Sequence, residues 1–198
     1  MSVYNKIAES WYNIRHWSIF NEELDKMSKE WDGKLLNIGC AHGADFVPFN
    51  SDKFQLFGID SSSELILLSK KFAAKNGIIF HNCVADMRLL PFSDSSFDYV
   101  ICMASLHHLL KRKERIQALK EMKRVVRKGV FLTVWDIENK DLPNEKIIEK
   151  DWNLRGQILR RKYYLYDISE FQKELEEAGF SADMWSDKRN LMALIKLI

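Results

Sequence analysis

The sequence predicts an open α/β sheet, mostly parallel, with helices on both faces and an antiparallel hairpin at its C-terminal end. Three observations carry that expectation. Short apolar runs alternate with helix-period segments along the chain, the pattern of a sheet with helices packed against it. The first apolar run, LLNI, passes into a small-residue loop, GCAHGA, that opens onto a helical segment. Aspartates stand at the ends of the second and third runs, Asp60 and Asp86, where ligands of open α/β sheets bind.

Each element follows from its residues. A helical cap spans about residues 3–31, broken near 16–18, and precedes a first strand at about 35–38. The second strand is placed at 55–59. A helix over 62–74 starts at the serine run Ser61–Ser63, with Glu64 in its first turn, and ends at Asn76-Gly77; serine at the cap and glycine at the stop satisfy orphaned backbone groups. Strands follow at 78–84 and 99–103. A helix over 112–127 puts Ile116, Leu119, Met122 and Val126 on one face and its lysines and arginines on the other. A fifth strand occupies 130–135, and residues 137–162 read as an insertion with a helical middle. A helix over 169–178 stops at Gly179, and 180–185 and 191–197 form two strands joined by the turn SDKRN. Residues 1–198 are expected to form a single domain.

Composition narrows the function classes. The 198 residues are 46% hydrophobic and 29% charged, with a formal charge of +2, far from a disordered composition and neutral about partners. No apolar stretch approaches the roughly 18 residues of a membrane span, and the polar start MSVYNKIAES has no signal-peptide character. The default expectation is a cytoplasmic enzyme without membrane contact. Cys40, Cys83 and Cys102 show no CxxC spacing, so neither a disulfide framework nor a zinc cage is suggested and no metal is expected. Basic residues concentrate at Lys111–Arg115 and at Leu159–Lys162, each read alone as a solvated face.

The strand tips carry the candidate chemistry. Gly39, Ala41 and Gly43 alternate in the first loop and allow backbone amides to approach a ligand. Asp60 lies 21 positions after Gly39, close to the roughly 20-residue offset of a ribose-binding acid. Asp86 closes the third strand, where a carboxylate can accept from an adenine amine. A nicotinamide dinucleotide also fits the first two features. The acid after the third strand, the stretch PFSDSSFDYVICMASLHHL and the C-terminal hairpin argue against it.

The segments NIGCAHGADF, FGIDSSSELI, ADMRLLPFSDSSFDYVICMASLHHL and RVVRKGVFLTVW resemble class I S-adenosylmethionine-dependent methyltransferases over about residues 34–135. The pieces VYNKIAESWYNIRHW, the pair His107-His108 and KYYLYDISEFQKELEEAGF are similar to tRNA wobble-uridine methyltransferases that esterify 5-carboxymethyluridine. The resemblance implies a Rossmann-like, seven-stranded, mostly parallel sheet and S-adenosyl-L-methionine as cofactor. It implies a cofactor site of Asn37, Gly39, Cys40, Ala41, Gly43, Asp60, Ser61, Asp86, Met87, Met103, Ala104 and His108. The chain departs from the family at Asn37, where an acid is usual, and at Ala41, where the middle glycine stands.

A carboxylate nucleophile needs no strong base, only a cation to hold it, and the nominees are Arg15 and His107. Arg160, Arg161, Tyr163 and Tyr166 are expected to contact substrate, the arginines on phosphates and the tyrosines on bases. The resemblance also implies a small zinc-ribbon activator subunit, expected to dock along the edge of the third strand over Ile78 and Phe80. Two other readings stay open at this point: a small-molecule methyltransferase of quinone or sterol type, and a catalytically silent binding subunit.

Overall fold

The computed structural model describes residues 2–143 and 145–197; Met1, Asn144 and Ile198 lie outside the described residues. Two helices lead into the sheet. Helix α1 (Val3–Ile14) starts at Ser2, whose hydroxyl accepts the Asn5 amide, and α2 (Asn21–Glu30) carries Glu22 and Glu23 in its first turn, where acids complement the helix dipole. Strand β1 (Gly33–Ile38) is fully buried from Leu35 onward. A 3-10 segment at Ala44–Phe49 follows the glycine loop, with Pro48 inside it. Then come β2 (Phe54–Asp60), α3 (Ser63–Asn76), β3 (Phe80–Val84) and β4 (Phe97–Cys102). Ser62 caps α3 by accepting the Leu65 amide, and Gly77 ends it at φ 62°, as the serine run and Asn-Gly predict.

A second 3-10 turn at Leu106–His108 leads into α4 (Arg112–Val125) and β5 (Val126–Trp135). The chain ends with α5 (Ile168–Glu177), β8 (Asp183–Ser186) and β9 (Asn190–Lys196), after β6 (Ile147–Leu154) and β7 (Gln157–Tyr164). The main sheet has seven strands in the order β3-β2-β1-β4-β5-β9-β8. The pairs β1–β2, β2–β3, β1–β4 and β4–β5 are parallel, while β9 runs antiparallel between β5 and β8. This is the Rossmann-like sheet that the sequence predicts. The chain leaves β1 toward β2 on one side and returns through β4 on the other, so a crevice opens beyond the carboxyl ends of these strands. One core packs α4 and α5 on the sheet through Leu119, Met122, Phe171 and Leu175. A second packs the N-terminal cap, the first 3-10 segment and α3 through Tyr12, Leu24, Phe46 and Phe72, and a third gathers Ile148, Tyr163 and Leu165. Among the described residues no helix is long and apolar enough to cross a membrane.

Among the described residues of 137–162 there is no helix, contrary to the helical middle expected there. Strands β6 and β7 pair there as an antiparallel hairpin outside the main sheet. Its turn, Arg155-Gly156, has positive φ at both residues, 52° and 88°, matching the right-handed twist of a two-residue hairpin. Burial alternates along β6, with Ile148, Lys150, Trp152 and Leu154 inward and the residues between them exposed. That period of two, not the charge content, is the signal that decides the element.

The basic cluster at Lys111–Arg115 is also not a uniformly solvated face. Arg115 is 1% exposed. Its Nη2 and Nε donate to the Glu174 carboxylate at 2.6 and 3.1 Å, and its Nη1 to the Leu110 carbonyl at 2.9 Å. The guanidinium lies 3.7 Å from the Tyr164 ring centroid, and the Tyr166 hydroxyl donates to Glu174 at 2.8 Å. This network joins α4 to α5 and to the end of the β6–β7 hairpin. Glu174→Ala leaves the buried Arg115 charge with only the Glu170 carboxylate at 3.8 Å, and is expected to cost about 3 kcal/mol in urea unfolding; a loss under about 1 kcal/mol would show the pair to be dispensable.

Candidate active site

A cavity of about 560 Å³ lies at the carboxyl ends of the parallel strands, within the roughly 300–1,000 Å³ of small-molecule sites. Its floor comes from the strand tips. Gly39–His42 follow β1, Ile59–Ser61 end β2, Ala85–Arg88 follow β3, Met103–Ser105 follow β4, and Trp135 ends β5. Helix α1, the segment after it, and the hairpin supply the walls through Tyr4, Trp11, Arg15, Ser18, Trp152, Arg161 and Tyr163.

The loop after β1 is held from behind. Gly39 and Cys40 both donate to the Ile59 carbonyl, at 2.8 and 2.9 Å. Asp60 accepts the Ala41 amide on Oδ2 at 2.9 Å and the Ser62 amide on Oδ1 at 2.8 Å. Ala41 sits at φ 48°, a left-handed conformation that costs a residue with a Cβ about 1 kcal/mol or more. Burial raises the Asp60 carboxyl above its ordinary pKa, against the pull of the Ser62 and Ala41 amides. Each carboxylate oxygen has a second lone pair, so Asp60 retains acceptor capacity on the cavity side.

The two loop glycines answer to neighbours inside the protein. Gly39 has φ 75°, and a Cβ there would lie 2.2 Å from the Ser105 Oγ; Gly43 has φ 101°, and a Cβ there would meet the Phe80 ring at 2.7 Å. The loop is therefore wedged against the β4 tip and the β3 edge strand, with its other side facing the cavity.

Asp86 also lines the cavity, beside Arg88, whose Nε and Nη2 donate to it at 3.0 and 2.5 Å. The Arg88 side chain and amide hold the Asp86 carboxyl below its usual range. Asp45 lies in the first turn of the 3-10 segment and lines the cavity too. Its pKa is raised by burial, opposed by the Ser18 hydroxyl, the Asn37 amide and the Arg15 charge.

Burial holds both cavity histidines, His107 and His108, toward the neutral form. His107 is buried, its Nδ1 accepts the Trp135 amide at 3.0 Å, and burial next to His108 holds its pKa well below the ordinary value. With Nδ1 accepting, the proton of the neutral ring resides on Nε2. His108 is held down to about 4 by burial, with Nδ1 at 3.2 Å from the Tyr4 hydroxyl. The expectation of a cationic His107 is thus corrected: burial disfavours imidazolium, and the ring accepts at Nδ1 and can donate only from Nε2.

Arg161 supplies the charge instead. Its guanidinium lies 4.8 Å from the Trp152 ring centroid, 5.5 Å from Tyr163 and 5.7 Å from Trp11, and its buried Nε has no hydrogen-bond partner. The Arg15 guanidinium lies 5.3 Å from the Trp11 ring centroid. Among the described residues no carboxylate comes within 4.0 Å of either guanidinium. Two unpaired cations therefore face one aromatic-walled space.

The structure brings together most of the residues that the sequence singles out: Arg15, Gly39, Cys40, Ala41, Asp60, Ser61, Asp86, Met87, Met103, Ala104, His107, His108, Arg161 and Tyr163 all line the cavity. Asn37 and Gly43 do not. Asn37 is fully buried beneath the loop with both amide atoms unpaired, and Gly43 is packed on Phe80. Arg160 alternates to the outer face of β7 and approaches Glu149 and Asp151 at 3.8 and 3.5 Å. Tyr166 is fully buried on Glu174, so neither of them reaches the cavity. Sequence reasoning missed Trp11, Trp152, Tyr4 and Asp45. The alternation in IIEKDWNL and the position of Asp45 just after the loop were the available signals.

Comparison with known proteins agrees with this architecture. Residues 36–134 match the family model described as methyltransferase domain. The chain is 30% identical over 194 residues to a protein of Encephalitozoon cuniculi (strain GB-M1) named as a methyltransferase, covering 92% of this chain and 86% of that one. It is 30% identical over 148 residues to the tRNA (carboxymethyluridine(34)-5-O)-methyltransferase of Xenopus tropicalis, covering 72% of this chain but only 22% of that protein. Among solved structures, an S-adenosylmethionine-dependent methyltransferase from Clostridium acetobutylicum superposes with a TM-score of 0.73 at 14% identity, covering 99% of both chains. A chain of the Haloferax volcanii complex between the Trm112 methyltransferase activator and a methyltransferase superposes with a TM-score of 0.71 at 16% identity, covering 98% of this chain and 93% of that one.

The chain belongs to the methyltransferase-domain family. Within that family it is an S-adenosylmethionine-dependent enzyme. The residues present fit that cofactor: a loop wedged so that its free side faces the cavity, a carboxylate with spare acceptors at the β2 tip, and a second one after β3.

The Gly39 wedge is testable by a double-mutant cycle. Gly39→Ala adds a Cβ against Ser105 and is expected to lower stability by roughly 3 kcal/mol, with Ser105→Gly recovering part of it. Gly77→Ala, where φ is also positive but nothing lies within 4 Å, is expected to cost about 1 kcal/mol. Equal losses at the two glycines in thermal unfolding would remove the wedge from the account.

Proposed function

We propose that this chain transfers a methyl group to a carboxylate carried by a tRNA base, forming the methyl ester of a 5-carboxymethyl group on the wobble uridine. The observation that carries the reading is Arg161, a guanidinium set among Trp11, Trp152 and Tyr163 with its Nε unpaired and no carboxylate on it. A planar base carrying an anionic arm supplies what this wall lacks, a flat surface for the rings and an acceptor pair for the forked donors. The relative from Xenopus tropicalis, whose name gives that reaction, supports the choice of substrate.

The cofactor would be held by the Gly39–Ala41 loop and Asp60, with Asp86 toward the adenine and Cys40, Ser61, Met87, Met103, Ala104 and His108 completing the wall. Bound there, S-adenosylmethionine supplies an electrophilic methyl group. The chain's own work is orientation. Arg161 and Arg15 hold the substrate carboxylate, and the neutral His107 donates from Nε2 to fix its angle. A carboxylate is already ionised at neutral pH, so no residue has to remove a proton, and holding the reactants in line can supply several kcal/mol of the barrier. Esterification abolishes the charge that the arginines grip, which favours release of product over substrate.

A zinc-ribbon activator completes the proposal, docking by strand addition on β3, the edge of the seven-stranded sheet. The Haloferax volcanii complex supports such a partner. The contact residues differ from those expected from the sequence. Ile78 is 4% exposed and belongs to the protein's own core, whereas Ile79 is 84% exposed and Val84 53%. Phe80 is half-buried against Phe46 and contributes its backbone rather than its ring.

Three experiments test these proposals. Incubation with tRNA, the activator and isotopically labelled S-adenosylmethionine, followed by nucleoside mass spectrometry, is expected to yield a labelled carboxymethyl ester. Arg161→Ala should lower kcat/KM roughly 100-fold or more, and Arg160→Ala less than about threefold; equal losses would reject the Arg161 assignment. Ile79→Asp is expected to abolish co-purification with the activator while leaving thermal stability within about 0.5 kcal/mol. Undiminished capture would move the docking surface elsewhere.

A further inference from the structure

Three carboxylates line the cavity, and two of them are already occupied. Asp60 accepts the Ala41 and Ser62 amides, and Asp86 is held by Arg88. Asp45 is different. Among the described residues it has no cation within 4.0 Å and no hydrogen bond. Ser18 and Asn37 turn toward it and favour its charged form, but neither closes a hydrogen bond of ordinary length and angle. The Ser18 oxygen instead accepts the Phe20 amide at 3.1 Å. Behind Asp45, Asn37 is 0% exposed with both amide atoms unpaired, so the polar cluster is incomplete on the cavity side. The Arg15 charge acts on it only from beyond 4.0 Å, so this carboxylate in a recess of low dielectric has no contacting cation and is costly unless one arrives with the ligand.

The cofactor brings such a cation. Its methionine end is a zwitterion, and the α-ammonium group presents three donors on a compact positive charge. Resting on the cofactor reading above, we infer that Asp45 receives this ammonium group, so that the 3-10 segment and the N-terminal cap, not the β1 tip at Asn37, provide the charge that recognises the amino-acid end. Asp60 and Asp86 act at the tips of β2 and β3, while Asp45 stands past the Gly39–His42 loop where the 3-10 segment meets Ser18. The assignment places the sugar and base on one side of the loop and the amino acid on the other.

Calorimetry with two ligands isolates the contribution. S-adenosylhomocysteine carries the ammonium; 5′-methylthioadenosine shares its adenosyl group and neutral sulfur but lacks the amino acid. Asp45→Asn is expected to weaken S-adenosylhomocysteine roughly 10- to 100-fold, the scale of a hydrogen bond to a charged group. Binding of 5′-methylthioadenosine should change less than about twofold, which also certifies the fold. Asp45→Ser repeats the measurement should the asparagine variant not fold. Unchanged S-adenosylhomocysteine affinity in a folded variant, or parallel loss of both ligands, overturns the inference. An unaltered chain that binds neither ligand refutes the cofactor reading itself.

Discussion

Everything in the cavity is placed relative to one short contact, the Asp60 carboxylate on the Ala41 amide at 2.9 Å. The same carboxylate takes the Ser62 amide, so the loop after β1 and the start of α3 are tied to a single side chain at the β2 tip. This bond holds Ala41 in its left-handed conformation, and that conformation sends the chain back toward Gly43 and the 3-10 segment. Gly39 tightens the arrangement from the other direction, its carbonyl accepting the Ser105 hydroxyl of the β4 tip at 3.4 Å and its bare Cα leaving room for that side chain. Three parallel strands are thereby locked at their carboxyl ends, where their registers would otherwise fray.

Much of this was legible because parallel strands are buried on both faces and read as continuous apolar runs. LLNI, QLFGI and YVIC needed no further argument, and Asp60 at the end of the second stood out against the apolar background. What failed was the segment between β5 and α5. A two-stranded hairpin buried on one face alternates, and its charged outer residues Glu149, Asp151, Arg160 and Lys162 can pass for a solvated helix when the period is not counted. Arg115 failed for the opposite reason. Its place in KRKER looks like surface, yet it faces Glu174 across 59 positions of chain, a tertiary pairing that no local pattern contains. Tyr166 was lost to the same network, and Ile78 to the turn that places it under the sheet one residue before the exposed Ile79.

The electrostatics of the cavity divide along the same line as its construction. Burial strips charge from the histidines, and His42, whose ring stands edge-on between Tyr12 and Phe72, is likewise held down to about 4. The thiols follow: Cys102 is pushed up to about 12 by burial, and Cys40 well above its usual value, so neither is a nucleophile. Charge survives only where a group cannot give up its proton or has no reason to take one. Guanidinium is such a group, since it stays protonated throughout the range in which proteins fold. A lysine at position 161 would face the same aromatic wall with a strongly hydrated ammonium and no fork.

The hairpin carries Arg161 and Trp152, yet it is not part of the main sheet, so its position has to be fixed by other means. At its base, Tyr166 donates to Glu174, and Arg115 lies against the Tyr164 ring. Near its far end, Trp152 packs 5.6 Å from Trp11 of α1. Between these anchors, Tyr163 stacks on Trp135 at 4.3 Å, which connects the wall to the tip of β5. Trp135 in turn donates its amide to His107. The buried ion pair behind α5 and the neutral imidazole at the cavity therefore act on one element from opposite sides. A guanidinium whose direction must be right to within a fraction of an ångström for in-line transfer is set by the rings around it, and those rings are held by packing and hydrogen bonds farther out. This explains why a costly buried arginine on α4, outside the cavity lining, belongs to the same physical design as Arg161 at the cavity wall.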